Sequence, residues 1–338
     1  MVPKFWAVVG VGAGLLFACG EGDDRASAPS SGGSAGRTNG GDGEAGDDDS
    51  AAGAAQGGEG GDRGIGGVGH LGGLGPAASA GAAAEPVCDP ALKLGTPQPL
   101  AGFDTAADEV LLSITHDELS LAFTRDAELY VADRGAPDDD FQSAELVSVP
   151  QGFTHERGAA LSGDGLRLVL ADDIGGLAEL ARAARGQPFA GAARPERYAT
   201  LNELAQQFGA ILASPVLSAD GENLYYVRIT GPDSLTFQAS GGKLFQQRPR
   251  PEEVFLLGSS DGEPKQPMAV SFDELAIFFF DQQAGHAAGL WRKRRDSAFN
   301  IAAQFPEQSG IAPNADCSRF YVTREIAGSY DIAFQAVE

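Results

Sequence analysis

Leu161–Asp172 reads LSGDGLRLVLAD and Leu217–Arg228 reads LSADGENLYYVR, two stretches that set a Ser-x-Asp-Gly turn in front of a short apolar run. Three further segments align with them without gaps: Ile114–Arg125 (ITHDELSLAFTR), Val270–Asp281 (VSFDELAIFFFD) and Pro313–Arg324 (PNADCSRFYVTR). Each carries Asp at its fourth position, namely Asp117, Asp164, Asp220, Asp273 and Asp316, and an apolar residue at its eighth, Leu121, Leu168, Leu224, Ile277 and Phe320. An Asp side chain accepts hydrogen bonds from nearby backbone amides and so stabilises a turn. The β-branched and aromatic residues that follow favour a strand. The aspartates recur roughly 43 to 56 residues apart, the spacing of four-stranded propeller blades. The repeats therefore predict an all-β fold over residues 88–338, a β-propeller of five blades.

Working outward from the repeats, a further strand is marked by an aliphatic residue with an Arg five positions later: Leu129 with Arg134, Leu180 with Arg185, and Leu290 with Arg295. The pattern blurs at Leu244 and Arg248, and the Arg is missing after Ile332. An outer strand is expected beyond Phe141, Phe189 and Phe299. Leu201, Leu204, Ala205 and Phe208 have helical spacing and predict a short helix inserted between blades. Leu177–Arg185 is rich in helix formers, yet its alignment with the repeat makes it a strand.

The repeats resemble the WD40-like, or PD40, β-propeller repeats of the TolB-type family, whose core runs apolar, Ser, Pro, Asp, Gly, then strand. Ser162-Gly163-Asp164-Gly165 and Ser218-Ala219-Asp220-Gly221 match it best; the other units replace the Gly by Glu118, Glu274 or Cys317. The resemblance covers residues 94–338 and implies a fold, not an activity, because propellers carry many unrelated functions. The chain starts with an outer-strand-like piece, Leu94–Phe103, and ends after an inner-type strand, Asp331–Val337. The first segment is thus expected to complete the last blade. That would bring Cys88 near Cys317, and a pair of thiols in an exported protein points to a disulfide.

Export is read from residues 1–18, where Lys4 precedes an apolar stretch from Phe5 to Ala18 that is too short for a permanent membrane span. Leu16-Phe17-Ala18-Cys19 resembles the lipobox of bacterial lipoproteins, which implies an acylated Cys19 as the mature N-terminus. Residues 19–87 hold 22 of the 47 glycines and no aromatic residue, so they cannot offset their conformational entropy. A disordered linker is expected there, with an end-to-end distance of roughly 45 Å. The expected organisation is a signal peptide (1–18), a lipid-anchored linker (19–87) and a propeller (88–338), in a lipoprotein of the outer membrane facing the periplasm or the cell surface.

The formal net charge is −23, which disfavours nucleic acid and anionic lipid surfaces. The one basic run, Arg292-Lys293-Arg294-Arg295, reads as a solvated strand end. His70, His116, His155 and His286 are scattered, none at a metal-ligand spacing, so each reads as a solvated loop residue, and no nucleophile elbow, Walker loop or dinucleotide fingerprint occurs. The Asp138-Asp139-Asp140 run is a solvated loop, and neither metal nor cofactor is expected. Carboxylates are numerous enough for glycosidase chemistry, but a catalytic pair has unique members, whereas these aspartates recur once per blade. The sequence points to a non-enzymatic binding or scaffold domain for an envelope protein, peptide or glycan. A degenerate glycan-processing propeller is the alternative. Recognition is expected in the departures between blades, Arg194–Ser214 and Thr230–Gly242, since long loops on a rigid scaffold commonly carry it.

Overall fold

The computed structural model describes residues 87–338 apart from 104, 143, 232, 248–264, 283 and 327. The stretch expected to be a signal peptide (1–18), Cys19 and the Gly-rich stretch lie outside the described residues. Strand β1 (Gln98–Pro99) comes first in the chain but belongs to the last blade. The first blade is β2 (Glu109–Ile114), β3 (Ser120–Arg125), β4 (Glu128–Asp133) and β5 (Glu145–Leu146). The second is β6 (Phe153–Leu161), β7 (Arg167–Asp172), β8 (Leu177–Ala181) and β9 (Ala190–Ala193). Helix α1 (Ala199–Phe208) precedes the third, β10 (Ile211–Leu217), β11 (Asn223–Thr230), β12 (Asp233–Ser240) and β13 (Gln246–Gln247). The fourth is β14 (Lys265–Val270), β15 (Ala276–Asp281), β16 (His286–Trp291) and β17 (Ile301–Phe305). The fifth is β18 (Gly310–Pro313), β19 (Arg319–Ile326), β20 (Ser329–Ala336) and then β1.

All five sheets are antiparallel and four-stranded, and the first strands of the blades neighbour one another around a central axis, giving a five-bladed β-propeller. The ring closes as the sequence suggests. Gln98 and Pro99 pair with Phe334 and Ala333 of β20, and Leu94 bridges to Val337. The strand expected at Asp331–Val337 is third from the axis, and β1 supplies its outer neighbour. Closing the ring with this early strand gives the fifth blade its fourth strand and covers the outer edge of β20 at Ala333 and Phe334.

The core lies between blades and is rich in aromatic rings. Phe278 meets Trp291 and Phe320 edge-on at 5.7 and 5.5 Å, while Phe103 packs on Phe123 at 4.8 Å. Helix α1 is present where the helical spacing placed it. It buries Leu201 and Ala205, and Gly209 ends it at φ 59°, a left-handed turn that Gly adopts without strain. Asn202 donates to the carbonyl of Leu177 and accepts from its amide, so one side chain mimics a strand neighbour for the start of β8.

Three local readings are corrected. Thr230–Gly242 is not a loop: β12 pairs with β11 along its whole length, Asn223 opposite Ser240 through Thr230 opposite Asp233. Polar residues disguise this strand, because Thr236 and Gln238 are buried and spend their polar atoms on the Lys265 carbonyl and the Asn223 side chain. The Arg that follows the third strand is Arg182 in the second blade and Arg292 in the fourth, not Arg185 and Arg295. The amides of Arg134, Arg182 and Arg292 all donate to the equivalent carbonyls of Leu119, Leu166 and Leu275. Both blades carry two Arg residues three apart, and burial rather than spacing selects the first. For the same reason the basic run is not wholly solvated: Arg292 is only 3 % exposed.

Candidate functional site: the turn face

Each of the five aspartates sits in the turn that joins the first and second strands of its blade, so all five lie on one face of the ring. In every blade the Oδ1 atom accepts the backbone amide two residues on, from Leu119, Leu166, Glu222, Leu275 and Ser318, at 3.0 to 3.1 Å. In the first four blades a hydroxyl two residues earlier, from Thr115, Ser162, Ser218 or Ser271, donates to the same oxygen. In the fifth the Ser318 hydroxyl does so. Burial opposes ionisation of Asp117, Asp164 and Asp220, but these hydrogen bonds outweigh it and hold the carboxyls below the usual range. At Asp316 the Ser318 hydroxyl is the main cause of the same shift. These four residues are exposed anions at neutral pH.

The residue after each Asp is left-handed in all five blades: Glu118 at φ 63°, Gly165 at 71°, Gly221 at 71°, Glu274 at 59° and Cys317 at 56°. Such φ values cost a non-Gly residue roughly 1 to 2 kcal/mol. The three non-Gly residues are the ones that reach into a joint with the preceding blade. Glu118 accepts from the Tyr321 hydroxyl at 2.6 Å and from the Asn314 amide at 3.1 Å. Glu274 accepts from the Tyr225 hydroxyl at 3.0 Å and from the Asn223 amide at 3.2 Å. Burial, reinforced by these carboxylates, pushes both tyrosines far above their ordinary range and keeps them neutral donors. Cys317 is bonded to Cys88, with their α-carbons 5.2 Å apart, and Trp291 of the fourth blade donates its indole N–H to the Cys88 carbonyl at 2.7 Å.

The buried arginines complete these joints. Arg134 and Arg292 donate Nε to the carbonyls of Glu118 and Glu274 and Nη2 to the hydroxyls of Tyr321 and Tyr225. Arg182 donates Nε to the Gly165 carbonyl and reaches back to Asp133 and Ser120 of the first blade. All three guanidinium groups lie over the Phe seven residues on, Phe141, Phe189 and Phe299, at 4.4, 4.6 and 4.5 Å. The buried acids and bases of the joints are thus occupied with holding blade to blade.

Bulges in the inner strands fall at Leu112, at residues 155–158, at Ser214-Pro215 and at Met268. Gly158 lies so close to Ser214 that a Cβ there would come within 2.9 Å of its Cα. Toward the turn face, His116 of the first blade donates Nε2 to the Val270 carbonyl of the fourth at 2.9 Å and meets Phe272 edge-on at 5.8 Å. His116 is therefore not the solvated loop histidine the sequence suggested, and burial holds its pKa below the usual value. Beneath it remains a cavity of about 20 Å³ for the centres of water molecules, space for one. Its polar lining is Ser113, Thr115, His116 and Ser218.

What the turn face presents outward is Phe272, 53 % exposed beside His116, among the carboxylates of Asp117, Asp164, Asp220 and Asp316. Asp117 is paired with Arg185 at 2.7 Å, and Asp273 accepts the Val87 amide through Oδ2. On α1, near the opposite ends of the strands, Phe208 is 51 % exposed and lies against Arg228. Asp138 of the acidic loop pairs with Arg319 at 3.1 Å. Among the described residues no cluster of three His, Cys, Asp or Glu side chains could hold a metal ion. Sequence reading singled out the aspartates but missed Phe272 and His116. The available signal was their shared place, third in the repeat, where the other blades have Gly163, Ala219 and Ala315.

No protein-family model matches the chain, and no curated protein matches it. Among solved structures it is similar to a putative TolB from Agrobacterium tumefaciens, at 14 % identity over 68 % of this chain and 80 % of that one, with a TM-score of 0.37. TolB from Acinetobacter baumannii is similar at 11 % identity and a TM-score of 0.40, covering 68 % of this chain and 55 % of that one. A structure from the GH130 family of mannoside phosphorylases is similar at 10 % identity and a TM-score of 0.38, over 72 % of this chain and 94 % of that one. None of these likenesses bears on what this chain binds or does.

Proposed function

We propose that this chain is an exported, lipid-anchored protein of the bacterial cell envelope whose propeller binds a protein, peptide or glycan through its turn face and catalyses no reaction. One observation carries this reading. Glu118, Glu274, Arg134, Arg182, Arg292, Tyr225 and Tyr321 are spent on the joints between blades, while an exposed aromatic ring and ionised carboxylates gather on one face. A rigid scaffold with its reactive groups tied up and a varied face suits recognition. Anchoring would come from Cys19, whose acyl chains hold a protein stably at about 0.8 kcal/mol per buried methylene.

Capture from envelope extract by the wild-type chain and by Phe272→Ser tests the binding role. Retention of a specific partner by the wild type alone supports it. Hydrolysis of a glycan panel by the pure protein, abolished by changing a single carboxylate, would establish the glycan-processing alternative instead. Mass spectrometry of the mature protein tests the anchor separately: an unmodified N-terminus at a residue other than Cys19 would refute it.

A further inference from the structure

We propose that the Cys88–Cys317 bond is a mechanical clasp, which carries tension from the N-terminal side directly into the fifth blade and spares the strap that closes the ring. The strap is the segment from Asp89 to Phe103. Its backbone hold on the blade is short, since β1 pairs only two residues with β20, one of them Pro99, which has no N–H to donate; its buried anchors, Leu100 and Phe103, stand at its far end, and Leu92 and Leu94 are only partly buried. Leu94 adds a single bridge to Val337, three further backbone bonds join Gly95 to Ala336, Glu338 to Lys93 and Leu100 to Ile332, and Gln335 donates Nε2 to the Gly95 carbonyl. A pull along the backbone would break these bonds a few at a time, from an edge strand whose two residues are both exposed.

The disulfide offers the pull another route. Cys88 is fully buried under the indole of Trp291, and Cys317 is 5 % exposed in the turn between β18 and β19. Strand β19 is an interior strand, paired through eight residues with β20 on one side and through four with β18 on the other. Tension that crosses the S–S bond therefore enters a strand held on both sides, and residues 89–103 form slack inside a covalent loop. The fold needs no such bond to complete its hydrogen bonding at this turn, since the other four blades make the same turn with Glu or Gly at this position. The lipid-anchor reading enters only as the source of the tension; the clasp itself is a property of the described fold.

Force spectroscopy on the full chain, held at its N-terminus and at Glu338, tests the clasp. The bond spans 229 residues. When oxidised protein unfolds, that interval stays hidden, and the extended length falls short of that of reduced protein by roughly 800 Å. The deciding feature is the order of events. Reduced protein, or Cys88→Ser with Cys317→Ser, is expected to show an early step of roughly 50 Å at low force as the strap peels away, before the ring opens. In oxidised protein those residues lie inside the covalent loop and add no length, so this step is expected to be missing, and the first release is that of residues 318–338, roughly 70 Å, as β20 leaves β19. A step of the strap's length in oxidised protein, or its absence from the reduced form, would overturn the proposal. Should the serine variant fail to fold, dithiol reduction of folded wild-type protein gives the same comparison. Collapse of the ring on reduction alone, without force, would show that the bond holds the fold at rest, which also overturns the clasp. Tags rather than acyl chains supply the handles, so the result is independent of whether Cys19 is lipidated.

Discussion

Replacing Glu274 by Ala and by Gly separates two energies that the joint between the third and fourth blades combines. The carboxylate is 1 % exposed, accepts from the Tyr225 hydroxyl at 3.0 Å and from Asn223 at 3.2 Å, and stands at a φ of 59°. Removing it leaves the Tyr225 hydroxyl, itself buried, with a proton and no acceptor; an unsatisfied buried donor costs roughly 1 to 3 kcal/mol. Arg292 keeps its bonds to the residue-274 carbonyl and to the Tyr225 oxygen, and Arg295 is 55 % exposed on its side chain, so neither adds much. Glu274→Ala keeps the left-handed strain and should lose about 2 kcal/mol. Glu274→Gly loses the same contacts but relieves about 1 kcal/mol of backbone strain. For a domain of this size each kcal/mol moves the melting midpoint by roughly 2 to 4 °C, so Ala should lower Tm by about 4 to 8 °C and Gly by about half as much. Tyr225→Phe combined with Glu274→Gly should cost less than the two changes summed, because both remove one interaction. Differential scanning calorimetry on oxidised protein measures all four variants. A Gly variant no more stable than the Ala variant would refute the strain argument, and additive losses would refute the joint.

Asp164→Ala and Asp220→Ala each remove a turn acceptor at an exposed position, so a loss of about 0.5 to 1.5 kcal/mol is expected in urea titrations. That is smaller than full burial of the amide would imply. Asp117, Asp133, Asp164, Asp220 and Asp316 have folded pKa values below their unfolded ones, so their stabilisation is complete above the ordinary Asp range and is lost as pH falls through the folded values. Glu109 runs the other way: burial raises its pKa against bonds from Thr105 and Arg125, so its contribution is present below its unfolded pKa and fades as pH rises through the folded value. Glu109→Gln should therefore flatten the decline in Tm on the alkaline side of the Glu range while leaving the acid limb intact. Phe272→Ser should leave Tm unchanged, the ring being half exposed, yet abolish partner capture.

The repeat was legible because one turn chemistry and one strand pattern recur five times, and the hydrogen bonds that make an Asp turn are local to five residues. Blade number, the order of strands and the use of the first segment to close the ring all follow from that recurrence. Even the joints left a trace in the chain, since Glu118, Glu274 and Cys317 stand where the turn prefers Gly, and a residue that accepts left-handed strain implies a contact that offsets it. What they touch was not legible, because Tyr321, Tyr225 and Cys88 lie far away in sequence and become neighbours only when the ring forms. Arg182 and Arg185, three residues apart, are alike in sequence, and only packing against Phe189 and Asp133 makes the first a joint and leaves the second nearer solvent. Strand β12 escaped notice because its buried polar atoms are satisfied by partners on other strands. The same holds at the turn face: composition puts His116 and Phe272 in separate loops, and the circular arrangement of blades brings the first against the fourth, turning one aromatic ring outward.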